Sequence, residues 1–131
     1  MARVLVVDDD EDLLFLISEY LDAYGFDFDI ANSAALARRR LKEFRYDAII
    51  SDLNMPGETG LDLFRHVSAR YPELPFVLMT GCPDSRVKRE ALRLGVSGYV
   101  EKPFHLSDLV RIIATIPIRR GRRSEMMAST A

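Results

Sequence analysis

Apolar residues change their spacing repeatedly along this 131-residue chain, from short β-branched runs to a recurrence every three or four positions and back again. Val4 to Val7 is wholly apolar, as expected of a strand covered on both faces. Leu13, Leu14, Leu16, Ile17, Tyr20, Leu21 and Tyr24 then recur at helical spacing, and Gly25 supplies a stop. Phe26 to Ala31 alternates apolar and acidic residues, the pattern of a sheet-edge strand. Ser33 is placed to cap a helix running to about Phe44, with Ala37, Leu41 and Phe44 inward. Tyr46 to Ser51 reads as the third strand, and Asn54-Met55-Pro56-Gly57 as a loop by turn chemistry. Thr59 opens a third helix whose predicted inner face is Leu61, Phe64, Val67 and Tyr71.

Pro72 and Pro75 bracket the connection into a fourth strand, Phe76 to Met79. Asp84 is the expected cap of a helix carrying Val87, Ala91 and Leu94, stopped by Gly95. Gly98 to Glu101 is a short fifth strand. His105 or Ser107 then starts a last helix with Leu106, Leu109, Val110, Ile113 and Ile116 on one side, ended by Pro117. Five strand-helix units of this kind predict an α/β fold: a doubly wound parallel sheet with right-handed crossovers and helices on both faces.

Composition narrows the class. At 48% hydrophobic, the chain supplies one domain over 1–117, which needs no staple, and a short basic tail or linker stub over 118–131. The single Cys82 excludes an internal disulfide and fits a reducing compartment. The longest apolar run, Leu13 to Ile17, is far below the roughly 20 residues of a membrane span, and the N-terminus lacks a signal-peptide pattern. A cytoplasmic protein without membrane contact is expected. The net charge of -2 divides into +3 after Pro117, from Arg119, Arg120, Arg122 and Arg123 against Glu125, and -5 before it. An acidic body without a wide basic face argues against nucleic acid as the folded domain's ligand.

The candidate chemistry sits at strand ends. Asp8-Asp9, Asp52, Thr80 and Lys102 each lie at or just after the end of a predicted strand, and the carboxyl edge of an open parallel sheet is where ligands bind. Three carboxylates, a hydroxyl and an ammonium suit a divalent metal together with a phosphoryl group. Carboxylates ~4 Å apart at an effective dielectric of ~20 repel by about 4 kcal/mol per pair, which Mg2+ relieves. Asp10, Glu11 and Asp12 have the simpler role of acids at a helix N-terminus. His66 and His105 lack a paired ligand at metal spacing, and no Gly-x-x-x-x-Gly-Lys loop is present.

With these motifs in order, the chain resembles the receiver domain of two-component response regulators. The matching residues are Val6-Val7-Asp8-Asp9, Ser51-Asp52-Leu53-Asn54-Met55-Pro56-Gly57, Thr80-Gly81 and Tyr99-Val100-Glu101-Lys102-Pro103-Phe104, within residues 3 to about 116. The resemblance implies a flavodoxin-like sheet of order 2-1-3-4-5 with five helices. It implies phosphoryl transfer from a sensor histidine kinase or phosphotransfer protein to Asp52, with Mg2+ (or Mn2+) held by Asp8, Asp9, Asp52 and the Asn54 backbone carbonyl. Lys102 and Thr80 would contact the phosphoryl group, and Tyr99 would follow Thr80 as the switch. A downstream partner would read the helix 4–strand 5–helix 5 face. Such a protein catalyses only its own phosphorylation and dephosphorylation. Lys102-Pro103 directly after a strand is expected to be cis, and the lack of a carboxylate or amide at Cys82 suggests slow-to-moderate loss of the phosphoryl group.

Other classes fit less well. A flavodoxin-type cofactor binder would place phosphate on the first loop, which here holds five consecutive acids, Asp8 to Asp12. An aspartyl phosphatase of the haloacid dehalogenase type expects Asp-x-Asp where this chain has Asp52-Leu53-Asn54. A non-phosphorylated receiver-like interaction scaffold remains the alternative, disfavoured by the complete acid set. Gly95-Val96-Ser97-Gly98 lacks the acidic pair of the winged-helix regulators' dimer face.

Overall fold

The computed structural model describes residues 3–81 and 85–115. The expectations placed on Cys82, Asp84, Ile116, Pro117 and the Arg119 to Arg123 cluster lie outside the described residues. Strands and helices alternate in the order β1 (Arg3–Val7), α1 (Glu11–Ala23), β2 (Asp27–Ala31), α2 (Ala34–Glu43), β3 (Ala48–Asp52), α3 (Gly60–Arg70), β4 (Phe76–Thr80), α4 (Ser85–Leu94), β5 (Gly98–Glu101) and α5 (Leu106–Thr115). All pairings are parallel and the sheet order is β2-β1-β3-β4-β5, as expected.

Side-chain alternation along the strands divides the core in two. Leu5, Val7, Ile49, Phe76 and Leu78 face α2, α3 and α4, meeting Ala37, Leu41, Leu63, Phe64, Val67 and Ala91. Val4, Val6, Ile50, Val77 and Met79 face the opposite way, onto Leu14, Ile17 and Leu21 of α1 and Leu109 and Ile113 of α5. The central strands are apolar except at their ends because both faces are covered. Each buried aliphatic side chain contributes roughly 1.5–3 kcal/mol.

Local signals set the helix ends. The Asp10 and Ser33 side chains accept from the backbone N–H groups of Leu13 and Leu36, and Thr59 and Asp62 form a reciprocal capping box at the start of α3. Gly25 and Gly95 follow α1 and α4 with φ of 79° and 100°, a conformation glycine adopts without steric cost. His105 fills the cap position of α5, its carbonyl accepting from Asp108 N.

Four details depart from the spacing argument. Leu63, fully buried, lies inward on α3, whereas Leu61 and Tyr71 pack only partly at its flank. Leu16 and Tyr24 of the first apolar series are exposed. Phe44 turns outward, because the chain has left the helix there for extended backbone at φ -133°. The third strand begins at Ala48 and includes Asp52, which pairs in register with Met79.

At the amino edge, Arg3 and Tyr46 converge on Asp29. Tyr46 Oη donates to Asp29 Oδ2 at 2.6 Å, and Arg3 Nη2 donates to the same oxygen at 2.8 Å. The Arg3 guanidinium also lies 4.6 Å from the ring centroid of the outward Phe44, a cation–π stack. Burial would raise the Asp29 carboxyl, but the Tyr46 and Arg3 hydrogen bonds outweigh it and hold the group below its ordinary value of 3.8. A depressed carboxyl contributes stability that is present above the unfolded value and lost as pH falls through the folded one. Asp29→Asn is therefore expected to cost about 1–2 kcal/mol at pH 7. Chemical denaturation of the two proteins should show that gap closing as the pH drops below about 4; a gap independent of pH would refute the ionic role.

Candidate metal and phosphoryl site

The carboxyl edge of the sheet gathers the chemistry. Parallel register aligns the ends of β1, β3 and β4, since Val7 pairs with Ser51 and Asp52 with Met79. The residue after β1, the last of β3 and the last of β4 are consequently Asp8, Asp52 and Thr80, all buried. Asp9 is exposed beside them. One carboxylate oxygen from each of Asp8, Asp9 and Asp52 lies within 4.8 Å of the others. Lys102 enters from the end of β5: its Nζ is 2.9 Å from Asp8 Oδ2 and 3.2 Å from Asp52 Oδ1. Its backbone N–H donates to the Thr80 carbonyl at 2.6 Å, and the Lys102-Pro103 bond is cis, as expected.

Electrostatics follow from that packing. Burial and the neighbouring Asp8 charge push the Asp52 carboxyl up, against the opposing pull of Lys102. For Lys102, burial would lower the ammonium, but its hydrogen bond to Asp8 and the charges of Asp52 and Asp8 raise it overall. The lysine therefore stays cationic and is shared by two buried acids. Oxygen donors of this kind suit a hard divalent cation, and the solvent-facing Asp9 leaves a route in. Asn54 lies exposed in the loop two residues beyond Asp52. The neighbouring acids separate as the sequence implied: Asp10 caps α1, and Glu11 and Asp12 occupy its first turn.

Tyr99 is half-buried on β5 against the α2–α4 side of the core. The Lys88 ammonium stands 5.5 Å from its ring centroid and 3.9 Å from Glu101. Sequence reasoning did not reveal this α4 contact, nor the role of Gly60. Gly60 N donates to Leu53 O at 2.8 Å, which lays the start of α3 directly on the carboxyl end of β3. A Cβ at Gly60 would collide with the Asp52 carbonyl oxygen and sit 2.9 Å from both the Asp52 carbonyl carbon and Leu53 Cα. The available signal was a glycine in the first helical position, where capping does not call for one.

The response regulator receiver domain model matches residues 4–114. Response regulator protein FleR of Pseudomonas aeruginosa is 39% identical over 115 residues, covering 86% of this chain and 24% of FleR. Transcriptional regulatory protein PrrA of Mycobacterium leprae is 33% identical over 128 residues, covering 98% of this chain and 55% of PrrA. The chain thus spans between a quarter and just over half of these relatives. Among solved structures, chemotaxis protein CheY4 of Vibrio cholerae superposes with a TM-score of 0.84 at 29% identity, covering 89% of this chain and 99% of that one. A receiver domain from Clostridium thermocellum gives 0.82 at 27% identity, over 97% and 99%.

Two outcomes test this geometry. An acid whose folded value is raised destabilises the fold once pH rises past its unfolded value near 4. Without metal, Asp52→Asn should unfold at higher denaturant than the parent at pH 7, by about 1 kcal/mol, with the advantage vanishing at acidic pH. Gly60→Ala should lower stability by about 1–3 kcal/mol and weaken Mg2+ binding, as read by thermal melts with and without the metal; an unchanged melt would show that the contact with Asp52 is not restrictive.

Proposed function

The chain belongs to the response regulator receiver domain family, and from that premise we propose that Asp52 is the phosphoacceptor of a Mg2+-dependent switch. A receiver domain of two-component signalling has a histidine kinase as its partner and is not a conventional enzyme. The observation that carries the assignment is the ammonium of Lys102 shared between Asp8 and Asp52, with an Asp9 oxygen in the same cluster.

Asp8, Asp9, Asp52 and the main-chain carbonyl of Asn54 would hold the cation. Mg2+ (or Mn2+) when bound would neutralise the crowded oxygens and orient a phosphoryl group for in-line attack. An Asp52 carboxylate oxygen acts as nucleophile on phosphorus: the O–P bond forms, the P–N bond of the donor phosphohistidine breaks, and the imidazole leaves with its electron pair. Lys102 turns its point charge from the Asp52 carboxylate to the transferred oxygens. Thr80, buried at the adjacent strand end, then donates to one of those oxygens, a charge-assisted bond of about 1.5–3 kcal/mol. That is enough to shift a pre-existing equilibrium in which Tyr99 follows Thr80 inward. The surface built from α4, β5 and α5 changes as a result and is read by a downstream partner. Among the described residues no helix is long and apolar enough to cross a membrane.

The name of PrrA, a transcriptional regulatory protein, supports gene control as the output of the system. A non-phosphorylated scaffold is disfavoured, since it would have no use for three carboxylates brought together in part-buried space. Incubation of the chain with acetyl phosphate and Mg2+ should add one phosphoryl group by intact mass, and chelation of the metal should prevent it. Asp52→Asn should gain none, and Lys102→Met should be slowed by roughly 10–100-fold. Equal labelling of the parent and Asp52→Asn would reassign the acceptor.

A further inference from the structure

The segment between β3 and α3 is anchored at several points. Leu53 and Met55 are buried in the core beneath it, and Gly60 closes on the Asp52 and Leu53 backbone. Gly57 takes a φ of 80° with open space around it, which lets the chain reverse between those anchors. Asn54, Pro56 and Gly57 are exposed. Glu58 is not left in solvent: its Oε2 pairs with Nη2 of Arg38, and the two side chains retain only 25% and 39% of their accessible surface. Arg38 belongs to α2, which Ala34, Ala37 and Leu41 seat firmly on the sheet. One charge pair therefore links the exposed stretch to a rigid helix.

We propose that the Arg38–Glu58 ion pair is a positioning strut for the metal site, holding the 53–59 loop so that the Asn54 main-chain carbonyl is presented beside Asp52. The inference rests on the reading above in which that carbonyl joins the acids around Mg2+. A loop that carries a ligand on its backbone has no side-chain rotamer to correct an error in its path. Its cation affinity depends on how sharply the loop itself is held, in the way outer groups orient metal ligands elsewhere.

Charge alone predicts the opposite effect for one of the partners. Removing the positive Arg38 makes the surroundings of the acidic cluster more negative, and by field effects would tighten cation binding. Loss of a strut weakens it. The direction of the change thus separates the two causes.

The test uses the full chain without phosphodonor, measuring Mg2+ affinity by calorimetric titration for the parent, Arg38→Gln and the charge-exchanged double variant Arg38→Glu/Glu58→Arg. Arg38→Gln is expected to bind Mg2+ about three- to tenfold more weakly, with faster amide hydrogen exchange across residues 53–60. The double variant should recover to within about twofold of the parent. In phosphorylation by acetyl phosphate, Arg38→Gln should raise the half-saturating Mg2+ by the same factor and leave the rate at saturating Mg2+ nearly unchanged. Parental or tighter Mg2+ binding in a folded Arg38→Gln would overturn the strut while leaving the receiver reading intact. If Arg38→Gln does not fold, Arg38→Lys, which keeps the charge but lacks the planar fork, should still bind Mg2+ about twofold more weakly, and parental affinity there would overturn the proposal. Failure of the parent to bind Mg2+ at all would defeat the metal reading and the strut with it.

Discussion

The repulsion between Asp8 and Asp52, offset by one ammonium, is the constraint around which this structure is arranged. Two acids are buried at adjacent strand ends, and burial together with the Asp8 charge pushes the Asp52 carboxyl up. Lys102 bridges them at 2.9 and 3.2 Å, and burial of the lysine is tolerable because both acids favour its charged form. Such a balance is close to neutral in free energy, because desolvation and attraction nearly cancel. A cation or a phosphoryl group arriving at that edge therefore meets a site already close to redistribution, and small changes in charge move it.

The sheet makes the balance possible at no local cost. Parallel strands end in step, so the residues at or just past their ends converge without any loop having to reach. Two apolar layers hold the five strands from both sides, and the amino edge is tied separately by Arg3, Asp29 and Tyr46. The Arg3–Asp29–Tyr46 cluster and the acidic cluster share no residue. Substitutions at one edge can alter folding without touching the reactive groups at the other.

Much of this was legible in the residues themselves. Period-two and period-3.6 patterns located every strand and helix, and the acids, Thr80 and Lys102 stood out because each followed an apolar run. What stayed hidden depended on the path of loops through space. Leu63 replaced Leu61 at the centre of the α3 face because a helix's inward direction is set by its partner as well as by its own spacing. Phe44, outward where the helix ends, stacks on Arg3, which is distant in sequence. The fit of Gly60 over Asp52 and the pairing of Arg38 with Glu58 both join segments whose approach no local pattern encodes.

Asp9, exposed at the rim while its two companions are enclosed, gives the pocket an open side. Water reaches that same side, and an acyl phosphate formed on Asp52, as proposed, would meet it there. On the proposed chemistry, a mark written here would be erased by hydrolysis even with no dedicated eraser present. The domain would therefore keep time as well as state, reporting how recently its kinase was active.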